Sequence, residues 1–452
     1  MTIKENFEFE RVDKIKEIFA LTSKKINNRI ITPDINFDFE GVVYITGFSG
    51  TGKTSLIKKF KKLYQDYEEP TKPLNEDIPI IELVGKDIED AIRILGQVGL
   101  TEAFIYLTPY KYLSDGQKTR FLLANILMKK PKIVVIDEFL SNVDRITAKS
   151  VAYNFQKICR KNNINVIVAT AHNDLVEALA PDILVNLDFN GVYEVKRKPI
   201  EKAYIPELKD TKIQIGSITD YNKLKRFHYF GDNEMSNEFD INYFVYRYKK
   251  TTIGVTIYKS PYPKEWNEIE YFREINDKLR VVINTIIHPS FRGIGLSLNL
   301  LKTKLSKYNY YVVKSALGIY MPRELSAGYT KIEIPSNLIT QLRRDYENLL
   351  IQYGVENLNE LHNEEFCIDF IRSINNAKKK ELRKLAINLF AENLMNTYLF
   401  YRDIVELNRL NNYEIYEIKE FFLEVTKSIR TEVLLQENVY FKMQGFSLKI
   451  NK

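Results

Sequence analysis

Short apolar runs alternate with longer amphipathic stretches in the amino-terminal part of the chain. Three of these runs have the length and composition of buried strands, at residues 41–46, 133–136 and 166–170. Continuous apolar strands are typical of a parallel sheet that helices cover on both faces. Asn190-Gly191 favours a tight hairpin turn between two further predicted strands, 183–189 and 192–196. The pattern predicts an α/β domain.

A mixture of strands and helices follows from about residue 212. Predicted strands occupy residues 243–248, 252–258, 279–287 and 310–313. Leucines at helical spacing in 294–306 predict a helix between the last two of these strands. Strands and helices mixed in this way indicate an α+β unit.

From residue 336 onward the apolar period becomes helical. Leu349 and Leu350 belong to one apolar face, and residues 415–429 repeat the same spacing. Pro199 and Pro206 lie in a polar stretch that is typical of a linker. We therefore expect an α/β domain at 1–205, an α+β domain at 206–335 and a helical carboxyl-terminal region at 336–452.

Composition excludes several classes of protein. The 452 residues are 45% hydrophobic, which is too apolar for a disordered chain. Two cysteines, Cys159 and Cys367, can build neither a disulfide scaffold nor a cysteine-based zinc cluster. No run approaches the roughly 20 apolar residues of a membrane span, and the first residues lack the apolar core of a signal peptide. We expect a soluble, cytoplasmic protein.

A glycine-rich turn directly follows the first predicted strand. Residues 47–54, Gly-Phe-Ser-Gly-Thr-Gly-Lys-Thr, fit the P-loop pattern G-x-x-x-x-G-K-[ST]. Backbone N–H groups and the next helix N-terminus can hold phosphates, Lys53 can reach the β- and γ-phosphates of ATP, and Thr54 can bind Mg²⁺. The alternative, a chance glycine-rich turn, is disfavoured by the strand–loop–helix context. The predicted phosphate-binding residues are Gly47, Ser49, Gly50, Thr51, Gly52, Lys53, Thr54 and Ser55.

Two carboxylates end the second apolar strand. Asp137 is predicted to belong to the Mg²⁺ shell, and Glu138 to polarise the attacking water. Two solvated acids at a strand end are common in isolation, so the pair is informative only together with other motifs.

Further motifs follow in a fixed order around this pair. Leu113-Ser-Asp-Gly-Gln117 precedes it, and Asp144 and His172 follow it. From about residue 41 to 188, the chain therefore resembles the ATP-binding cassette (ABC) ATPases, whose signature is Leu-Ser-Gly-Gly-Gln. The resemblance implies a homodimer or higher oligomer, in which two chains enclose two ATP molecules.

The same resemblance assigns roles to these residues. Ser114, Gly116 and Gln117 would contact the nucleotide of the second chain, and Asp144 would couple the two sites. His172 would position the γ-phosphate and the attacking water. The alternatives are an ordinary helix cap at Ser114 and a structural strand-end histidine at His172.

Departures from the ABC pattern bear on transport. Asp115 replaces a glycine, and Phe139 stands where transporters usually have proline. Only sixty residues, 54–113, separate Lys53 from Ser114. That is too few for the full helical subdomain that docks onto a membrane partner, so no membrane partner is expected.

A second glycine-rich turn follows the strand 279–287. Residues 292–297, Arg-Gly-Ile-Gly-Leu-Ser, resemble the diphosphate-binding motif of the Gcn5-related N-acyltransferases (GNAT), which implies acetyl-CoA as a cofactor. A helix N-terminus with exposed N–H groups suits the phosphates. The alternative is a turn that merely caps a helix. The predicted cofactor-binding residues are Ile287, Arg292, Gly293, Ile294, Gly295 and Ser297.

The second unit also contains candidate acid–base residues. His228 is a candidate general base for deprotonating an amine, and a histidine packed in the core is an equal alternative. Glu324 stands where the GNAT family often has a tyrosine general acid, and Tyr320 is close to it in sequence.

Together the motifs resemble ABC-type ATPases fused to a predicted acetyltransferase domain, found in archaea and phages. The expected protein is a dimeric ATPase with a GNAT-like N-acyltransferase that acts on nucleic acid or a modified base. The charge balance, 66 basic against 59 acidic residues, gives +7 and tolerates an anionic partner without requiring one. The alternative is a sensor or scaffold ATPase of the repair or defence type, whose second domain is a non-catalytic docking module.

Overall fold

The computed structural model describes residues 10–22, 39–64, 66–189, 192–209, 211–228, 237–303, 307–315, 317–318, 320–332, 337–358, 360, 364–382, 385 and 439–443. The predicted turn at Asn190-Gly191 and the predicted helix at 415–429 lie outside these residues. Within them, no helix combines the length and the apolar character that crossing a membrane requires.

A five-stranded sheet forms the amino-terminal unit. Its strands lie in the order β2-β3-β1-β4-β5, with β1 to β4 parallel and β5 antiparallel at one edge. They are β1 (Val42–Gly47), β2 (Ile133–Ile136), β3 (Asn165–Thr170), β4 (Ile183–Leu187) and β5 (Tyr193–Arg197). The helices are α1 (Glu10–Ile18), α2 (Lys53–Leu63), α3 (Ile88–Gln97), α4 (Ala103–Tyr106), α5 (Asp115–Lys129), α6 (Arg145–Lys161) and α7 (Val176–Leu179).

Helices cover both faces of this sheet. Val43 and Ile45 of β1 pack with the apolar side of α2, whereas Val42 and Tyr44 face a larger core that α3, α5 and α6 complete. Successive residues of a strand point to opposite faces, so a strand that is covered on both sides must be apolar throughout. This explains the uninterrupted apolar runs and confirms the predicted α/β fold of the amino-terminal unit.

A seven-stranded sheet forms the second unit, in the order β11-β12-β10-β9-β8-β7-β6. All neighbouring strands are antiparallel except β9 and β10, which are parallel. The strands are β6 (Ile213–Ile215), β7 (Ile241–Tyr248), β8 (Thr251–Lys259), β9 (Leu279–Ile287), β10 (Tyr310–Lys314), β11 (Thr330–Ile332) and β12 (Val439–Met443). The helices are α8 (Ile218–Leu224), α9 (Glu270–Lys278), α10 (Leu296–Leu301), α11 (Arg323–Ser326), α12 (Asn337–Gln352) and α13 (Glu364–Ser373).

The carboxyl-terminal range contributes to the second sheet as well as helices. Helices α12 and α13 agree with the helical pattern expected after residue 336. Strand β12, however, pairs with both β10 and β11, so residues 439–443 correct the expectation of a purely helical region at 336–452. The reason is that β12 fills the position between β10 and β11, which the sheet would otherwise lack.

The predicted linker is attached to the amino-terminal unit. The backbone N–H of Tyr204 donates to the carbonyl oxygen of Glu177 at 3.0 Å, and Ile205 is buried. Glu207 forms an ion pair with Lys149 of α6. These contacts hold residues 204–207, which lead into the second unit, against helices α6 and α7 of the first unit.

Candidate functional site

The P-loop begins where β1 ends, and the close approach of β4 requires glycine at its first position. Gly47 has a φ of +149°, and a Cβ there would lie 2.2 Å from the carbonyl oxygen of Leu187 on β4. Only glycine permits that approach. Within the loop, the Thr51 hydroxyl donates to the carbonyl oxygen of Phe48 at 2.9 Å, which holds the loop in a compact turn.

The start of α2 is suited to phosphate. Gly52 occupies its N-cap, so no side chain caps the first N–H groups of the helix. A Cβ at Gly50 would meet no described atom within 4 Å, and Thr54 is exposed at the same end. Uncapped N–H groups, a helix dipole and a nearby hydroxyl are the groups that a phosphate chain with Mg²⁺ requires. The residues present therefore fit Mg²⁺-ATP.

Lys53 is held beside the loop with its charge inward. Its ammonium donates to the carbonyl oxygens of Gly47 and Phe48, each at 2.8 Å, and the residue is buried. Burial lowers the pKa of Lys53, and the carboxylates of Glu138 and Asp137 oppose that shift. The ammonium group of Lys53 thus interacts electrostatically with the carboxylates of both Asp137 and Glu138, as the predicted site requires.

Glu138 adopts an unusual backbone conformation at the end of β2. Its φ is +54°, a left-handed value that costs a residue with a side chain roughly 1–3 kcal/mol. The N–H of the buried Phe139 donates to the carbonyl oxygen of Ala169 at 2.8 Å, which fixes the chain after this turn. The Ser141 hydroxyl donates to Glu138 Oε2 at 2.8 Å and lies 3.2 Å from the Thr170 hydroxyl. The carboxylate is therefore oriented rather than merely solvated.

His172 is anchored through its main chain. Its carbonyl oxygen accepts hydrogen bonds from the Tyr44 hydroxyl and, at 3.0 Å, from the Thr46 hydroxyl. Both donors belong to β1, the strand that leads into the P-loop. His172 therefore emerges at the same edge of the sheet as the P-loop and Glu138.

Asp144 caps helix α6, and the adjacent Arg145 links the start of that helix to the segment that follows His172. Asp144 Oδ1 accepts a hydrogen bond from the Thr147 N–H at 3.0 Å. Arg145 forms an ion pair with Asp174, two residues after His172. Burial raises the pKa of Asp174, but Arg145 outweighs this effect, and the pKa lies below its usual value.

The signature segment starts α5 with a reciprocal cap. The Gln117 N–H donates to Ser114 Oγ at 3.3 Å, and the Ser114 N–H donates to Gln117 Oε1 at 2.9 Å. Ser114 and Asp115 are exposed, whereas Gly116 lies against the main chain of Asn142. The helix-cap alternative is thus realised, and it leaves Ser114 on the surface.

The second glycine-rich turn lies between β9 and α10. Gly295 is the N-cap of α10, has a φ of +88°, and is exposed with no described atom within 4 Å of a Cβ built there. Ile294 and Ser297 are partly exposed beside it. The neighbouring Gly293 is also exposed, but a Cβ there would lie 3.5 Å from the Asn154 side chain of the amino-terminal unit. The turn is therefore open at Gly295 and lies closer to the amino-terminal unit at Gly293.

Histidines lie on both sides of Phe227, near this turn. The Phe227 ring packs edge-to-face with His288, with centroids 5.1 Å apart, and His228 follows Phe227 directly. Burial lowers the pKa of His288, and the charges of Arg292 and Arg226 add to that effect. The His228 N–H donates to the carbonyl oxygen of Lys225 at 2.9 Å, and its side chain is partly buried.

Curated proteins match the chain over part of its length. The lipoprotein-releasing system ATP-binding protein LolD of Rickettsia prowazekii is 32% identical over 177 residues, which are 38% of this chain and 72% of that protein. LolD of Rickettsia typhi is 30% identical over 185 residues, 39% of this chain and 76% of that protein. This chain belongs to the ABC ATPases. It is an enzyme that binds and hydrolyses ATP.

Other similarities cover less of the matched protein or have lower sequence identity. The phosphonates import ATP-binding protein PhnC 1 of Trichodesmium erythraeum is 32% identical over 120 residues, 25% of this chain and 46% of that protein. An ATP-binding cassette of an ABC transporter in its ADP conformation is 19% identical with a TM-score of 0.28, over 35% of this chain and 80% of that chain. No family model matches the chain.

Several residues that complete the ABC ATPase site have no sequence motif to reveal them. Ser141 orients Glu138, Thr170 contacts Ser141, and Tyr44 and Thr46 anchor His172. Their roles depend on the backbone turn at Glu138 and on the pairing of β1 with β3. The only local signal is that Tyr44 and Thr46 are polar residues within the last four positions of β1.

We predict that Ser141→Ala lowers kcat for ATP hydrolysis about 3- to 10-fold, because the Glu138 carboxylate loses a charge-assisted hydrogen bond. KM for ATP should change little, since Ser141 contacts the carboxylate and not the P-loop. Steady-state ATPase rates measure both. Thr108→Ala, which removes an exposed hydroxyl bonded to Phe104, is the matched control and should leave kcat unchanged. Equal kcat in the two variants would contradict the orienting role.

Proposed function

We propose that two copies of this chain close around two ATP molecules. Each composite site would combine the P-loop, Glu138 and His172 of one chain with Ser114 and Gly116 of the other. We further propose that the second unit is a GNAT-like N-acyltransferase that takes acetyl-CoA. The acceptor amine would lie on nucleic acid or a modified base, and ATP-driven closure would clamp that polymer or control its access.

The exposure of the signature turn carries the dimer proposal. Ser114 is exposed at the N-terminus of α5. Gly116, two residues later, lies against Asn142 and Val143. Within one chain, the residues at the ends of β1, β2 and β3 converge without it. The cap uses the N–H groups of Ser114 and Gln117, and the positive end of the α5 helix dipole at this surface turn is available to the phosphate of a nucleotide on another chain.

Hydrolysis follows from the groups assembled at the sheet edge. Lys53 holds the β- and γ-phosphates, and the N–H groups of α2 neutralise their charge. Thr54 and Asp137 would hold Mg²⁺, which when bound neutralises charge on the phosphate oxygens. Glu138, oriented by Ser141, accepts the proton of the attacking water. His172, held at the same edge, would position that water against the γ-phosphate.

A gap between β9 and β10 supports the acyltransferase proposal. The two parallel strands pair only as far as Val282 and Val313, whereas β9 continues to Ile287. Asn284 lies in the continuing part, and its side-chain amide is buried with no hydrogen-bond partner among the described residues. Ligands of open sheets bind beyond the carboxyl ends of parallel strands, where this gap opens. An acyl group could be held there, with its diphosphate at the exposed Gly295.

Glu324 is a second buried group without a hydrogen-bond partner in the described part of the chain. It is 1% exposed, and both carboxylate oxygens lack such a bond. We propose it, with His228, as a candidate for proton transfer in the acyltransferase reaction. Both residues belong to elements that adjoin the Arg292–Ser297 turn, since α11 packs on α10 and Phe227 contacts Arg292.

A membrane partner is not part of this proposal, although the curated relatives are named for lipoprotein release and phosphonate import. In this chain, the segment before the signature contacts the second unit. A Cβ at Gly96 would lie 3.5 Å from Met321 Sδ, and Thr101 accepts a hydrogen bond from Arg292. A net charge of +7 supports an anionic macromolecule as partner.

We predict that Glu138→Gln retains ATP binding and accumulates a closed dimer. The amide keeps the size of the carboxylate but cannot accept a proton, so hydrolysis should fall about 100- to 10,000-fold. Light scattering with ATP and Mg²⁺ should detect the dimer. Lys53→Ala is the control, because it should lose nucleotide affinity and stay monomeric. Glu138→Gln protein that remains monomeric at saturating ATP would count against the proposed ATP sandwich, in which two chains enclose two ATP molecules.

Mixing two inactive variants tests the composite site. Ser114→Arg should abolish hydrolysis without weakening ATP binding to a single chain, because Ser114 faces the nucleotide of the partner. Mixed with Lys53→Ala, it should regain activity, since one intact site forms in each heterodimer. ATPase assays of each variant alone and of the mixture measure this. If the mixture stays inactive, either the sandwich is wrong or both sites must act together, and dimer formation by Glu138→Gln separates these outcomes.

Acetyl-CoA binding tests the second unit. If the N–H groups near Gly295 hold its diphosphate, then acetyl-CoA at 100 times its Kd should raise Tm by about 5 °C or more. Gly295→Glu should eliminate the shift, because it places a carboxylate where an anion must approach. Gly354→Glu is the matched control, since Gly354 also has a positive φ and open surroundings. A wild-type protein that does not respond to millimolar acetyl-CoA would favour a non-catalytic docking module in a sensor or scaffold ATPase.

A further inference from the structure

Arg292 connects the second unit to the ATPase unit. Its side chain is 10% exposed, and its Nε donates to the carbonyl oxygen of Ile287 at 2.9 Å. Its Nη2 donates to the carbonyl oxygen of Phe227 at 3.5 Å. Across the boundary, Nη1 donates to Thr101 Oγ1 at 3.2 Å and lies 3.1 Å from Glu102 Oε1. Every nitrogen of the guanidinium is therefore committed to the protein.

The segment that receives Arg292, residues 97–102, also holds the signature helix. Arg120 of α5 donates from Nη1 to the carbonyl oxygen of Gly99 at 3.2 Å. From Nε, the same side chain donates to the carbonyl oxygen of Gly116, in the signature itself, at 3.3 Å. Asn154 of α6 donates to the carbonyl oxygen of Gln97. Three elements therefore meet on one short segment.

Charge reinforces these contacts. Burial lowers the pKa of both Arg120 and Arg292, and the carboxylate of Glu102 opposes the shift at each. Glu102 is thus the anion shared by two buried guanidinium groups. Without it, the two cations would repel each other, and only the carboxylate of Asp144 would oppose the effect at Arg120, which is costly in a buried site.

We propose that Arg292 and Glu102 are positioning residues for ATP hydrolysis. They fix the segment 97–102, and Arg120 transmits its position to Gly116 and so to the exposed Ser114. The second unit is in this way a built-in part of the ATPase machinery, and a change at its Arg292–Ser297 turn alters turnover at the nucleotide site. The inference rests on the proposed ATP sandwich, because the signature reaches a nucleotide only on a second chain.

Two conservative variants of the full chain test the positioning role. Glu102→Gln removes the shared charge, and Arg292→Lys keeps its charge but cannot reach all of its acceptors at once. Each should lower kcat for ATP hydrolysis about 3- to 30-fold, with KM for ATP unchanged because the P-loop is intact. Arg247→Lys is the matched control, since Arg247 pairs with the buried Asp220 within the second unit at 2.8 Å. It should leave kcat unchanged, whatever it does to Tm.

Complementation identifies the element through which these variants act. Lys53→Ala chains have an intact signature, so mixing them with Glu102→Gln chains supplies a normal signature to the P-loop of each Glu102→Gln chain. Turnover per Glu102→Gln chain should therefore rise on mixing, as it should for Ser114→Arg. Mixing wild-type protein with Lys53→Ala provides the reference for the heterodimer.

The outcomes separate this inference from the function on which it rests. If Ser114→Arg is rescued by Lys53→Ala but Glu102→Gln is not, the sandwich stands and the positioning role is wrong. The role is also overturned if kcat is unaffected in both variants, or falls only in proportion to a loss of folded protein that Arg247→Lys reproduces. If neither variant is rescued and Glu138→Gln does not dimerise, the sandwich itself fails.

Discussion

The central position of β1 is the constraint on which the ATPase site depends. Strand β1 lies between the parallel strands β3 and β4, so the loops that follow these strands emerge at one edge. Tyr44 and Thr46 of β1 both donate to the carbonyl oxygen of His172. These hydrogen bonds fix the segment around His172 to the strand that leads into the P-loop. Burial raises the pKa of Tyr44, so its hydroxyl stays a donor. The spacing between the P-loop and His172 is thus set by the core.

Strain at the end of β2 has a comparable function. Glu138 and Leu140 both have left-handed φ values of +54°, and the buried Phe139 between them is hydrogen-bonded to β3. Two unfavourable backbone conformations persist only when their surroundings determine them fully. The result is a carboxylate that projects outward beside Ser141 instead of continuing along the strand. The core therefore bears the cost of orienting the Glu138 carboxylate.

Local chemistry decides how much of this could be predicted from sequence. The P-loop is one contiguous motif and Asp137-Glu138 is another, and their residue types suit a phosphate and a metal, so the sequence alone could predict both as candidate binding residues. The contact between Arg292 and Thr101 spans 191 positions, and no pattern of periodicity or spacing reveals it. Strand β12 was missed for a similar reason: five residues pair with β10 and β11 across more than a hundred positions, and hydrophobic period carries no information about partners.

The Arg292–Ser297 turn faces two environments, and this limits how an anion could bind there. Each nitrogen of the Arg292 guanidinium already contacts Glu102, Thr101 or a main-chain carbonyl oxygen, so at most one of its five N–H groups is left for a phosphate. An anion at the open side of the turn, near Gly295, would instead meet backbone N–H groups. Only the turn itself would then separate that anion from the segment that holds the signature helix. Coupling between two binding sites is reciprocal in free energy. If ATP binding moves α5 and so changes the affinity of the second unit for its ligand, then that ligand must change the affinity for ATP by the same factor.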